Sequence, residues 1–134
     1  MALKDSSTGT VIRNYSFDAL RDASNLMRGN CLVALCAAGS GHSGSSLSIM
    51  DIAAALYLHV ADHDPRNPSW PDRDRIVWSA GHKAPALYVA LGMAGFCPLD
   101  DVVTLRKLGS PFQGHPHWLR CRALKSLPAR LGRA

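Results

Sequence analysis

One five-residue stretch constrains the fold of this chain more than any other. Arg75-Ile76-Val77-Trp78-Ser79 is β-branched and aromatic, is preceded by Asp74 and followed by Ala80-Gly81, and reads as a buried core strand. Elsewhere the apolar periodicity is helical. A lone strand leaves a row of backbone donors and acceptors unpaired, and nothing else in the sequence offers it a convincing partner. The expected fold is therefore α/β but incomplete: a helix-rich fragment with residues 75–79 as its one core strand, a piece of a larger domain.

The helical segments follow from spacing and punctuation. Leu20, Ala23, Met27, Cys31 and Leu35 recur every three or four residues and predict a long helix over 17–38, stopped by Gly39-Ser40-Gly41. Ser48 followed by Asp51 resembles a capping box ahead of Ile49, Ile52, Ala53 and Leu56, which predicts a second helix over 48–59. Residues 61–74 hold Pro65, Pro68 and Pro71 among four Asp, a composition for a surface loop. A third helix is expected over 83–93, with Pro85 in its first turn, and a fourth over 98–108, with Pro98 at its start and Gly109 past its end. Residues 1–14 are polar and read as a flexible leader.

Charge and cysteine content narrow the function classes. The chain has 15 Lys+Arg against 10 Asp+Glu, net +5. Five of the basic residues (Arg120, Arg122, Lys125, Arg130, Arg133) lie in 119–134, where there is no acid, so the remainder is balanced. Every acid is Asp; mechanisms that need a Glu from within this chain are excluded. Cys31, Cys36, Cys97 and Cys121 show no metal-type spacing, no signal-type start is present, and no apolar run approaches the ~20 residues of a membrane span. A reduced, cytoplasmic protein without membrane or nucleic-acid partners is expected.

Three glycine-histidine pairs stand where elements end: Gly41-His42, Gly81-His82 and Gly114-His115. Glycine lets backbone approach a ligand closely, and imidazole donates to phosphate or exchanges a proton near neutral pH. Gly81-His82 is the best placed, between the carboxyl end of the strand and the start of a helix, where α/β folds bind anions. Taken singly, each His has an ordinary alternative as a cap or a carbonyl partner. His59, His63, Asp62 and Asp64 cluster in sequence but read as a solvated loop rather than a metal site, and His117 reads as a bystander.

The order of motifs strongly resembles the start of transketolase, in particular the amino-terminal section of split bacterial and archaeal enzymes. Gly41-His42 with Ser46-Leu47-Ser48 is followed by Asp51-Ile52-Ala53-Ala54-Ala55-Leu56-Tyr57, His63-Asp64-Pro65-Arg66-Asn67-Pro68 and Trp70-Pro71-Asp72-Arg73-Asp74-Arg75. Then come Ser79-Ala80-Gly81-His82, Ala84-Pro85-Ala86-Leu87-Tyr88, Leu105-Arg106-Lys107-Leu108-Gly109-Ser110 and Gln113-Gly114-His115-Pro116. The resemblance covers about residues 15–116 and implies the diphosphate-binding domain of the thiamine-diphosphate fold, with domain limits at 15–118.

It also implies a transferase of the pentose phosphate pathway that moves a two-carbon ketol unit from a ketose phosphate to an aldose phosphate. The family uses thiamine diphosphate and Mg²⁺, and works with a carboxy-terminal section and a second copy. By matching motif, His42 and His115 would be catalytic, beside the substrate carbonyl and hydroxyls, and Gly81, His82 and Gly114 would bind the cofactor. No metal ligand is assigned within this chain.

The departures are equally specific. Ser43 stands where the family usually has the proline of Gly-His-Pro-Gly, and Ser45-Ser46 replaces Gly-Ser. The family's Gly-Asp-Gly segment and following Asn, which hold magnesium and diphosphate, belong after the matched stretch, and its activating Glu belongs to the carboxy-terminal section. The isolated chain is thus expected to be a truncated, inactive section with little hold on the cofactor. Residues 119–134 form an aberrant basic tail. One codon set encodes both Ala123-Leu124-Lys125-Ser126-Leu127-Pro128-Ala129-Arg130-Leu131-Gly132-Arg133-Ala134 and, one base out of frame, the family segment Gly-Val-Glu-Val-Ser-Thr-Gly-Ser-Pro-Gly-Gln-Gly, so an out-of-frame origin is expected. The alternative is a basic amphipathic module for RNA or a membrane surface, with Leu119, Ala123, Leu127 and Leu131 on one face, although Pro128 interrupts it.

Overall fold

The computed structural model describes residues 3–116. Its centre is a helical layer. Helix α1, Phe17–Ala38, starts where Ser16 accepts a hydrogen bond from the Ala19 backbone N–H and ends at a left-handed Gly39, whose N–H donates to the Cys36 carbonyl. Ala23, Met27, Cys31 and Leu35 of the predicted apolar stripe are buried, joined by Ser24 and Ala34, while Leu20 is half-buried. Against it lie α2 (Ser43–Leu47), α3 (Met50–Ala55) and α4 (Ala84–Met93), together with a 3₁₀ turn at Leu99–Thr104.

Helix α4 is the keystone of the packing: residues 84–91 are all buried, so it is surrounded rather than amphipathic. Leu87, Leu91 and Tyr88 are fully enclosed and pack with Met27, Met50, Leu58 and Val102 in one cluster. Enclosing a Leu or Met side chain is worth about 1.5–3 kcal/mol, so these few positions carry much of the stability. Pro85 sits in the first turn, as expected.

The second predicted helix differs from expectation at both ends. It begins at Ser43, breaks at 48–49, resumes as α3 and finishes in a single π turn, Leu56–Val60. No Ser48–Asp51 capping box forms, because both side chains are engaged elsewhere. The Ser48 hydroxyl donates to the Ser45 carbonyl, and the Asp51 carboxylate accepts from Ser24 Oγ at 2.6 Å and Arg28 Nη2 at 2.7 Å, joining α3 to α1. The helix expected over 98–108 is confined to the Leu99–Thr104 turn; Leu105 is extended and Arg106 turns left-handed with φ 62°.

Residues 75–79 are not a paired strand. They run extended, with alternating exposure: Trp78 is buried while Val77 is 66% exposed. Among the described residues no backbone ladder reaches them. The reason is physical: the period is that of a strand, and the described chain holds no segment to pair with it.

Residues 3–13, read from composition as a leader, form an antiparallel hairpin of β1 (Leu3–Lys4) and β2 (Val11–Arg13). Polar contacts to the proline-rich loop hold it in place. The Lys4 N–H donates to the His63 carbonyl at 3.0 Å, Lys4 Nζ pairs with Asp62, and Ser6 donates from both backbone N–H and hydroxyl to Asp64 at 3.0 Å. That loop in turn hides His63 and Asp64, each 2% exposed. The basic tail, 119–134, and His117 lie outside the described residues. No described helix is long and apolar enough to cross a membrane.

Candidate functional site

Two of the three glycine-histidine pairs meet at the start of α2 and of the 3₁₀ turn Gly81–Lys83 that leads into α4. His42 is the residue before α2 and is exposed; His82 is exposed in the 3₁₀ turn. Their rings lie edge to face with centroids 5.8 Å apart. The turn before His42 is shaped by close packing: Gly41 has φ 143°, and a Cβ there would come 2.2 Å from Leu35 Cδ2. Only glycine lets the chain pass so close over α1 and still aim His42 at His82.

The third pair, Gly114-His115, stands on the loop 110–116. His115 is exposed and makes no ring contact with the other two histidines. Its loop is nevertheless fastened to both neighbouring segments. The Tyr88 hydroxyl, from α4, donates to the Gln113 carbonyl at 2.8 Å, and the Tyr88 ring meets Phe112 edge to face at 5.1 Å. Arg106 Nη1 donates to Ser40 Oγ at 2.8 Å, while the Arg106 backbone N–H donates to the Phe112 carbonyl at 2.8 Å. Ser40, Tyr88 and Arg106 thus support the site, and their roles were not legible in sequence; the motif order marked their segments without showing which side chain does the fastening.

The loop cluster of His59, His63, Asp62 and Asp64 is occupied structurally. His59 Nδ1 lies 3.1 Å from the Tyr15 carbonyl, and His63 Nε2 lies 2.7 Å from the Tyr57 carbonyl. Asp64 accepts from the Arg66 backbone N–H at 2.9 Å and Nε at 3.2 Å. Burial alone would raise the Asp64 carboxyl; the Ser6 and Arg66 donors reverse that and hold it well below the usual carboxylate range.

A helical layer whose glycine-histidine turns gather at helix starts suits the diphosphate end of a nucleotide-like cofactor, and the comparisons give the same class. The family model described as "Transketolase, thiamine diphosphate binding domain" matches residues 20–133. The chain belongs to the transketolase family. It is 39% identical over 113 residues to the 6-deoxy-6-sulfo-D-fructose transketolase subunit SqwG of Clostridium sp. (strain MSTE9), covering 84% of this chain and 41% of that one. It is 42% identical over 98 residues to a transketolase of Pongo abelii, covering 73% of this chain but 16% of that enzyme. Among solved structures, the transketolase from Leishmania mexicana superposes with a TM-score of 0.72 at 29% identity, over 87% of this chain and 16% of that chain. The chain therefore spans 16–41% of the length of these relatives, and its fold is the amino-terminal part of their thiamine-diphosphate-binding domain.

The donor set bears on what the site can hold. The three turns, 39–44, 79–85 and 110–116, contain His42, His82, Lys83 and His115 and no Asp or Glu, with Arg106 reaching in at Ser40. Imidazole, ammonium and guanidinium N–H groups suit phosphate oxygens. They do not suit Mg²⁺, which takes hard oxygen ligands, so these turns fit the diphosphate and not the metal.

Proposed function

We propose that this chain is a section of a transketolase, and that the end of the molecule where His42 and His82 meet receives thiamine diphosphate. The parent reaction is transfer of a two-carbon ketol unit from a ketose phosphate to an aldose phosphate. The observation that carries this reading is the 5.8 Å juxtaposition of two imidazoles from turns 40 residues apart, in a chain whose family is that of a thiamine-diphosphate-binding domain. Gly81, His82 and Gly114 border the diphosphate; His42 and His115 face the sugar.

When bound, thiamine diphosphate supplies the breaking and making of the carbon–carbon bond. The chain's own groups orient and exchange protons. A His82 ring N–H would donate to a diphosphate oxygen, while His42 and His115 would present imidazoles able to give or take the proton of a substrate hydroxyl. Mg²⁺ has no ligand in these turns. The carboxy-terminal section and a second copy are the proposed partners, sugar phosphates the substrates and the cytoplasm the compartment; the free thiols of Cys31 and Cys36 suit a reducing environment. Because these turns offer Mg²⁺ no carboxylate oxygen, ketol transfer is expected to require that partner section.

Titrating thiamine diphosphate into the chain and following backbone amide shifts tests this. We expect binding on the order of 1 mM, about 4 kcal/mol, with shifts at 41–44 and 81–84, weakened about tenfold in His82→Ala and unchanged in His117→Ala. Equal binding by His82→Ala, or turnover of ketose phosphate by the chain alone, would overturn it.

A further inference from the structure

Arg106 is the one non-glycine residue with a left-handed backbone among the described residues, φ 62°. A side chain makes that conformation unfavourable, and a turn alone would be met with less strain by glycine. What the side chain does there is specific. Its Nη1 donates to Ser40 Oγ at 2.8 Å. Its guanidinium also lies against Gly114, where a Cβ would stand 2.9 Å from Nε and 3.2 Å from Nη2. No carboxylate pairs with it among the described residues.

We infer that Arg106 is a positioning residue: its guanidinium clamps the Ser40 turn that leads into His42 against the loop that carries Gly114 and His115. The inference rests on the reading of this end as the thiamine diphosphate site and adds the device that sets the spacing of its histidines. With this left-handed backbone the Arg106 N–H reaches the Phe112 carbonyl while the side chain, lying beside Gly114, reaches Ser40. A planar fork can hydrogen-bond through one nitrogen while its other nitrogens stay beside a glycine; an ammonium can do only the first. Gly114 is then glycine because the guanidinium occupies the space of a side chain.

Amide hydrogen exchange on the full chain, with Arg106→Gly, Arg106→Lys and Ser40→Ala, tests the clamp. Arg106→Gly keeps the backbone turn and removes only the fork. We expect exchange at 40–44 to rise at least tenfold in Arg106→Gly and Ser40→Ala, and at 112–115 in Arg106→Gly alone. Arg106→Lys should recover protection at 40–44 but not at 112–115. Exchange at 40–44 within twofold of wild type in Arg106→Gly and Ser40→Ala overturns the clamp. If Arg106→Gly loosens α4 as well, the exposed Ser40→Ala decides alone.

Thiamine diphosphate affinity is the second readout, expected to fall about tenfold in Arg106→Gly. Faster exchange with unchanged affinity overturns the positioning role. A wild-type chain that fails to bind overturns the functional reading instead, and exchange still decides whether the clamp exists.

Discussion

At the scale of single residues, the site is governed by what glycine permits. Gly41→Ala would place a Cβ at φ 143° and 2.2 Å from Leu35 Cδ2, so both backbone strain and the displaced Leu35 oppose it. We expect a loss of about 1–3 kcal/mol, read as a lower denaturant midpoint. Gly44→Ala is the contrast: nothing lies within 4 Å of its Cβ and it sits inside α2, so a gain of about 0.5–1 kcal/mol is expected. The placement of His42 and His82 at element starts was legible, because Gly-His at an element boundary is a local pattern; their roles rest on the resemblance. Arg106 was not, because its work depends on a left-handed turn and on Ser40, 66 positions away in sequence, which no local rule registers.

At the scale of elements, the hairpin and the proline-rich loop stand together through titratable groups. Donation from the Ser7 hydroxyl and backbone N–H, and then from Arg66, holds Asp5 down to about 2, and Asp64 is held lower by its Ser6 and Arg66 donors. Both carboxylates add stability above their unfolded value near ~3.9 that is lost as pH falls through their folded values. Burial pushes the His63 imidazole below its ordinary value, opposed by its bond to the Tyr57 carbonyl and by Asp62, Asp64 and Asp74. Its neutral form is the folded one, so its share of stability is full above ~6.5 and erodes as pH drops below that. A thermal-melt series from pH 7.5 to 3 should show a shallow decline beginning near ~6.5 and a steeper one below ~4. His63→Gln should flatten the first and Asp64→Asn the second.

Helices α1 and α4 were legible because periodicity, Gly39 and Pro85 agree with the packing they find. The capping box at Ser48 was not, since Asp51 is claimed by Arg28 and Ser24 on α1, a tertiary contact overriding a local signal. The hairpin was missed for a similar reason: a polar Ser/Thr/Gly stretch has no apolar alternation, and what orders it is Asp64, which is far away in sequence.

At the scale of the whole molecule, the chain is one part of a longer family architecture, and its gene holds a decisive observation. The family match runs through the tail to residue 133, which favours a diverged tail over a shifted frame, and the nucleotide sequence decides between them. A shifted frame requires a one-base insertion or deletion near codons 117–122, with the alternative frame resuming Gly-Val-Glu-Val-Ser-Thr-Gly-Ser-Pro-Gly-Gln-Gly; stops or unrelated residues in that frame would count against it. The extended segment 75–79 was legible as a strand in period but not in pairing, since pairing belongs to the sheet and not to the segment.

That open segment also has a consequence for how copies of the chain meet in solution. Two backbone edges without a ladder among the described residues, beside an exposed Val77, are a template on which another copy could grow. The residues leading into them, Trp70-Pro71-Asp72-Arg73-Asp74-Arg75, put a proline and four alternating charges at the mouth of the segment. A second copy laid alongside in parallel register would set Asp74 against Asp74 and Arg75 against Arg75. The run thus acts as a gatekeeper: it raises the cost of stacking like on like while leaving the edges open to a strand of different sequence.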